Sequence, residues 1–121
     1  PLNVKSLERL AMRAIMGLAR TGSHASNGSG DYVVAFSTHP SVRRPRQSDK
    51  PIASLALVNA SMSPLFAATA EATEEAIYNA IFKATTIESA RGIRKAIPIK
   101  DLMRVLENYN ALHWDKKILA K

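Results

Sequence analysis

The sequence predicts an α+β fold in which helices cover a short run of strands. Two long segments have apolar residues every three or four positions, which indicates helices. Two shorter segments between them are rich in β-branched and aromatic residues, which favours strands. The resulting order of helix, strand, strand, helix, helix is typical of an α+β layer rather than a helical bundle. The 121 residues are the length of one domain, and 46% hydrophobic residues argue against wholesale disorder.

The first predicted helix has a signal at each end. Apolar residues recur at helical spacing from Leu7 to Ala19, and most of the charged residues fall on the opposite face. Asn3 is suited to cap the start, and Gly22 is suited to the left-handed conformation that follows a helix. The apolar stripe could face a partner helix, a membrane surface or a core. Its charged residues are too few and too mixed for a membrane helix, so we predict a core-facing helix.

The predicted strands follow a glycine-rich loop at residues 22–31. The first strand is Tyr32–Thr38, and the second is Ile52–Asn59. Residues 39–51 connect them and concentrate proline and positive charge. Because apolar strands need neighbours on their edges and faces, we expect residues 1–121 to aggregate or stay partly unfolded when produced alone.

The second half of the chain is predicted to be mainly helical. Ser63-Pro64 reads as an N-cap followed by the first helical residue, and the apolar pattern continues to Ile81. Gly92 interrupts the chain, and a shorter helix is predicted at Ile99–Leu106. The basic tail at 115–121 is predicted to be loosely held.

Charge and cysteine content narrow the classes of function. Seventeen Lys and Arg against ten Asp and Glu give a net charge of +7, which first suggests nucleic acid or an anionic membrane as a partner. The absence of cysteine excludes disulfides, thiolate nucleophiles and cysteine-ligated metals. No apolar run approaches the length of a membrane span, and the first residues do not resemble a signal peptide.

The tetrapeptide Gly28-Ser29-Gly30-Asp31 is the most informative candidate site. The glycines Gly28 and Gly30 would let the backbone approach a substrate and would expose the hydroxyl of Ser29. Ser29 and Asp31 are two residues apart, so in an extended segment they project to the same side and can form a proton relay. The alternative is a polar turn that starts a strand, with Asp31 bonded to its own backbone, and the local pattern favours that turn.

Other polar residues give weaker signals. A Ser-His-Asp triad of Ser29, His24 and Asp31 is disfavoured because the G-x-S-x-G context is missing. Glu71 and Glu75 share a helix face, where paired carboxylates could act as acid and base but a solvated face is the default. No pair of histidines has the spacing of a metal site; the histidines are His24, His39 and His113.

The Arg43–Arg46 run supports a function of a different class. Three arginines in four positions would suit phosphate or nucleic acid, although no aromatic residues or binding motif accompany them. A non-catalytic basic binding or interaction domain that uses this loop is therefore the alternative function. A solvated loop, or one that contacts an acidic neighbour, is the simpler interpretation.

Several stretches together resemble the β-chain of the DmpA-type L-aminopeptidase/D-esterases, which include the β-peptidyl aminopeptidases. The first stretch is Leu18-Ala19-Arg20-Thr21-Gly22, and the second runs from Ser26 to Thr38. Pro64-Leu65-Phe66-Ala67-Ala68 and residues 71–80 are similar to the helix that follows in that family. The resemblance covers most of residues 7–82 in the same order, and it is looser after Thr86.

The resemblance implies a hydrolase made from a precursor that cuts itself between a glycine and a serine. The released serine would attack peptides, amides or esters that carry a free amine, through an acyl-enzyme, in a four-layer αββα sandwich laid out like the Ntn hydrolases. Ser29 and Asp31 would support that nucleophile as a hydrogen-bonded pair, with Gly28 and Gly30 shaping the loop. The implied partner is the α-chain of the same precursor, in an oligomer of αβ protomers. No metal or organic cofactor is implied, and neither nucleic acid nor a membrane is an expected partner.

One departure from the family pattern affects catalysis. In the family a short apolar strand that starts with the nucleophilic serine precedes the Pro-Leu pair, which here is Pro1-Leu2. We therefore expect residues 1–121 to be a partial domain that is inactive alone. It could be a trimmed fragment, a further-processed β-chain or one piece of a larger complex. The preference among L-, D- and β-amino acid substrates is left open.

Overall fold

The computed structural model describes residues 1–44, 46, 49–51, 53 and 55–112. Its helices and strands are, in chain order, α1 (Val4–Arg20), α2 (Ser63–Phe82), β1 (Ile87–Ser89), β2 (Gly92–Arg94) and α3 (Ile99–Asn108). Helices combined with a two-stranded sheet confirm the α+β class. The chain divides into two compact units, Pro1–Tyr78 and Asn79–Lys121. Across the described residues, every helix is too short or too polar to cross a membrane.

Both predicted ends of α1 are confirmed. The Oδ1 atom of Asn3 accepts a hydrogen bond from the backbone N–H of Ser6 at 2.9 Å, which satisfies one of the unpaired donors of the first turn. At the other end Thr21 donates its backbone N–H to the Leu18 carbonyl at 3.1 Å. Gly22 follows with φ +94°, a conformation that glycine adopts without the steric cost of a Cβ.

The core of the first unit lies where α1 crosses α2. A Cβ atom on Gly17 would lie only 2.4 Å from the Ala70 carbonyl oxygen and 2.7 Å from the Thr73 Cβ. The two helices are therefore so close at Gly17 that there is no room for a methyl group. The buried residues of the described chain are few, and most lie on these helices: Ser6, Ala14, Gly17, Met62 and Ala70. This small core shows that much of the apolar surface of the chain stays uncovered.

The predicted strand at Tyr32–Thr38 is wrong in one respect, because these residues pair with no other strand of the described chain. Their burial nevertheless alternates. Tyr32, Val34 and Phe36 are 92%, 86% and 76% exposed, whereas Val33 is 41% exposed and Ala35 is half-buried. A period of two is the side-chain pattern of a strand, so the sequence supplied the strand pattern but not the hydrogen-bonding partner.

The second predicted strand, Ile52–Asn59, also lacks a ladder within the described residues. Ile52 and Ser54 lie outside those residues, and a short 3₁₀ turn occupies Asn59–Ser61. Leu57 donates its backbone N–H to the Pro1 carbonyl at 2.9 Å, which is a single backbone bond between this segment and the start of the chain. One bond is too little for a sheet, because a strand is stabilised by a series of such bonds and by side-chain pairs across them.

The remaining elements differ from the prediction mainly at their boundaries. Ser63 is the first residue of α2 rather than its cap, because the preceding 3₁₀ turn already leads into the helix. The β1–β2 hairpin was not predicted; Gly92, with φ +101°, closes its tight turn. The short helix predicted at Ile99–Leu106 is confirmed as α3, which continues to Asn108. The basic tail at 115–121 lies outside the described residues.

Candidate active-site loop

The hydroxyl of Ser29 donates to the carboxylate of Asp31, with 2.9 Å between Oγ and Oδ2. Of the two interpretations made from the sequence, the structure contains the side-chain pair. Gly30 separates the two residues and leaves their side chains on the same side of the chain. A serine oxygen that donates its own proton keeps its lone pairs available, so it can accept a hydrogen bond from a further hydroxyl or amine.

A tight turn positions this pair. Ser29 donates its backbone N–H to the Ser26 carbonyl at 2.9 Å. Gly28 inside the turn has φ +92°, a region that L-residues with a side chain rarely adopt. The two features fix the direction in which the Ser29 side chain leaves the loop.

One side of the loop borders an open groove of about 430 Å³. Asp31 is the charged residue of its lining, and the rest of the lining is mostly apolar. The groove is lined by Ala14, Ile15 and Leu18 of α1, Thr73 and Ile77 of α2, and Gly30, Tyr32 and Val33 of the loop and its extended segment. Ser29 and Asp31 are themselves exposed, so they can contact a group supplied from outside the described chain.

His24 does not join the pair. Ser29 and Asp31 bond to each other, and neither has a hydrogen bond to His24 in the described part of the chain. His39 instead caps a 3₁₀ turn, where its Nδ1 accepts from the Ser41 backbone N–H at 3.2 Å. His113 lies outside the described residues. Among residues 1–44, 46, 49–51, 53 and 55–112, no cluster of side chains is suited to hold a metal ion.

The charged residues outside the loop have other surroundings. Glu71 and Glu75 are exposed on α2, whereas Glu74 between them makes an ion pair with Arg20 at 3.5 Å. In the basic loop, Arg43 Nε and Arg44 Nη1 each donate to a backbone carbonyl at 3.3 Å; the acceptors are Thr38 and Ala53. Pro45 of the same run lies outside the described residues.

The sequence did not single out a cluster of cations on α1. Arg9 and Arg13 both lie over the ring of Phe66, with their guanidinium carbons 4.8 and 4.4 Å from its centroid. Arg9 also donates through Nη1 to Oδ1 of Asn59 at 2.6 Å. The separation of the two arginines by four residues placed them on one helix face, but it did not reveal the aromatic ring on α2.

The Ser29–Asp31 loop and helix α2 lie in the stretches of sequence on which the resemblance rests. The chain matches the model of Peptidase family S58 over residues 1–95. It therefore belongs to this family, the DmpA family, as the sequence resemblance predicted.

Three known proteins are similar to this chain. The β-peptidyl aminopeptidase BapA of Sphingosinicella microcystinivorans is 35% identical over 113 residues, which are 93% of this chain and 28% of that protein. The enzyme of the same name from Sphingosinicella xenopeptidilytica is 34% identical over 115 residues, which cover 88% of this chain and 27% of that enzyme. The PH0078 protein from Pyrococcus horikoshii OT3, whose crystal structure is known, is 46% identical in sequence. The two structures align with a TM-score of 0.81 over 91% of this chain and 31% of the PH0078 chain. The chain therefore spans less than a third of these relatives.

Proposed function

We propose that this chain is most of the β-chain of a self-processing serine aminopeptidase that hydrolyses peptides, amides or esters with a free N-terminal amine. The observation that carries the proposal is the hydrogen bond between Ser29 and Asp31, which lies within the residues that match the peptidase family. Two related proteins are named β-peptidyl aminopeptidases, which supports the same class of reaction.

The proposed reaction uses a nucleophilic serine on the strand that precedes Pro1-Leu2 in the family. Its oxygen attacks the carbonyl carbon of the scissile bond, and its proton passes to its own α-amino group and then to the departing amine or alcohol. Water then releases the acyl group from the serine. Ser29 acts as a positioning residue whose Oγ accepts a hydrogen bond from an N–H of that α-amino group, while Asp31 accepts the Ser29 proton and so keeps the Oγ lone pairs available.

The two extended segments support the proposed sandwich. Tyr32, Val34 and Phe36 form one apolar exposed face, and such a face is stable in water only when another layer covers it. The bond from Leu57 to the Pro1 carbonyl would let a strand that enters at Pro1 continue beside residues 55–58. We propose that the α-chain of the same precursor completes this partial domain as an αββα sandwich, and that αβ protomers form an oligomer.

The basic loop gives less support to the alternative function. Arg43 and Arg44 direct guanidinium N–H groups to carbonyls of the chain itself, which explains their presence without nucleic acid. Strongly salt-dependent binding of nucleic acid to the full-length protein would favour the alternative.

The test is made on the full-length protein that contains this chain. We expect Ser29→Ala to lower kcat/KM for amino-acid p-nitroanilides by about 10²–10⁴-fold, the usual effect of a group that assists proton transfer. Asp31→Asn keeps the size of the side chain but loses the charge, so it should lower the rate as well. Ser61→Ala is the matched control, because Ser61 is exposed and its side chain has no hydrogen bond among the described residues.

Two results would contradict the proposal. One is full activity in Ser29→Ala. The other is an intact mass spectrum of the active protein that lacks two chains derived from one precursor.

A further inference from the structure

A cavity of about 430 Å³ opens beside the arginine cluster at the amino-terminal half of α1. Its polar groups are hydrogen-bond donors or neutral amides, and no acidic residue is among those that line it: Asn3, Lys5, Ser6, Arg9, Leu57 and Asn59. The cavity therefore has positive charge from Lys5 and Arg9 without a matching negative charge.

Arg9 is held in place at the edge of this cavity. The Phe66 ring lies under its guanidinium group, and Asn59 accepts one of its N–H bonds. A guanidinium group has five N–H bonds, so four remain for another acceptor. Among the described residues the ion pairs are Arg20–Glu74 and Arg104–Asp101, which leaves Arg9 and Arg13 without a carboxylate.

Ser6 provides a second, independent observation. Only 7% of its surface is exposed, yet its hydroxyl has no hydrogen bond among the described residues. No side-chain polar atom of the described chain is both fully enclosed and unpaired, so this hydroxyl keeps some exposure, and Ser6 is one of the residues that line the cavity. The hydroxyl is therefore accessible and can donate to a group that enters the cavity.

These donors together match a carboxylate. The guanidinium group of Arg9 offers parallel N–H bonds that fit both carboxylate oxygens, and the Asn59 amide keeps its N–H groups because its oxygen already accepts from Arg9. Lys5 adds a positive charge, and the Ser6 hydroxyl adds one more donor.

We propose that this cavity binds the carboxylate of an Asp or Glu side chain from the rest of the αβ protein. The inference rests on the proposed function, since it requires the remainder of that protein. This chain carries a net charge of +7 and spans less than a third of its relatives, so charge complementarity favours an acidic contact from the part outside it. A side chain held by the same assembly has a high effective concentration, which favours it over a free anion.

The test compares Arg9→Gln with Arg9→Glu in the full-length protein, by thermal unfolding at low ionic strength. Both variants lose the guanidinium bond to Asn59 and the contact with Phe66. The difference between their Tm values therefore reports the charge that faces this position. With a facing carboxylate, Arg9→Glu should have a Tm several degrees below that of Arg9→Gln. Without one, a glutamate four residues from both Lys5 and Arg13 would gain helical ion pairs and unfold at an equal or higher temperature.

Arg91→Gln and Arg91→Glu are the matched controls. Arg91 lies exposed in the turn of the β1–β2 hairpin, and no contact of its side chain is present in the described chain. We expect these two variants to differ in Tm by much less than the Arg9 pair. An equal or opposite order of the two Arg9 variants would overturn the proposal.

A free anion is the other occupant to test. Sodium phosphate and sodium succinate are each added to the wild type and to Arg9→Gln. A rise in Tm that the wild type shows and Arg9→Gln loses would overturn the proposal, because a resident side chain would already fill the cavity; no such rise supports it. Intact mass of the same samples tests the processing separately: a single uncut polypeptide contradicts the proposed function, while the order of the Arg9 variants still tests the carboxylate.

Discussion

The substitution Gly17→Ala tests how closely α1 approaches α2. The new Cβ would lie 2.4 Å from the Ala70 carbonyl oxygen, where ordinary contact requires roughly 3.4 Å or more, so the helices would have to separate by about 1 Å. The Ala70 oxygen belongs to the backbone of a helix and cannot move away by rotating a side chain. Overpacking costs about 1–3 kcal/mol, and a clash with helix backbone belongs to the upper part of that range, about 2–3 kcal/mol, whereas replacing glycine by alanine within a helix gains about 1 kcal/mol.

We therefore expect Gly17→Ala to lower the free energy of unfolding by roughly 1–2 kcal/mol, measured by urea unfolding of the full-length protein. Ala72→Gly provides the calibration, because Ala72 is an exposed residue within α2 and its change isolates the helix-propensity contribution. If Gly17→Ala unfolds at the same urea concentration as the wild type or at a higher one, the close crossing of the two helices is wrong.

Three further changes test local features of the fold. Asn3→Ala should lower the free energy of unfolding by about 1 kcal/mol through loss of the N-cap, and Asn3→Ser should restore most of it. Gly28→Ala should reduce the rate of hydrolysis and the Tm together, because φ +92° strains a residue with a Cβ although open space surrounds it; an unchanged rate would contradict this. Arg20→Gln should change stability by less than about 0.5 kcal/mol, since its pair with Glu74 is partly exposed and long at 3.5 Å, and a larger loss would show that the pair is shielded in the full protein.

The parts of the chain that depend on nearby residues could be predicted from the sequence. The cap at Asn3, the left-handed glycine at Gly22 and the helix at Ile99–Asn108 all follow from interactions within a few positions. The Ser29–Asp31 pair belongs with them, because a spacing of two residues is enough to bring the side chains together.

The parts of the chain that depend on contacts between distant residues could not be predicted from the sequence. Burial alternates along residues 32–36 as in a strand, but β-propensity does not specify which chain supplies the hydrogen bonds of the ladder. The contact of Arg9 with Phe66 joins residues 57 positions apart, and no local pattern encodes it. The β1–β2 hairpin was missed for another reason: with three residues to a strand, it is too short to show a period.

The outward apolar face of Tyr32, Val34 and Phe36 also affects the order of events in folding. If this chain belongs to a precursor as proposed, the proposed covering layer reaches the face by an intramolecular step whose rate does not depend on concentration. In separate copies of residues 1–121, the same apolar faces can associate with each other, and the rate of that association rises with concentration. The yield of refolded protein should therefore fall with concentration when residues 1–121 are produced apart from the remainder, and stay constant when the two are joined. Under the proposed processing, a precursor that folds before it is cut would avoid this competition.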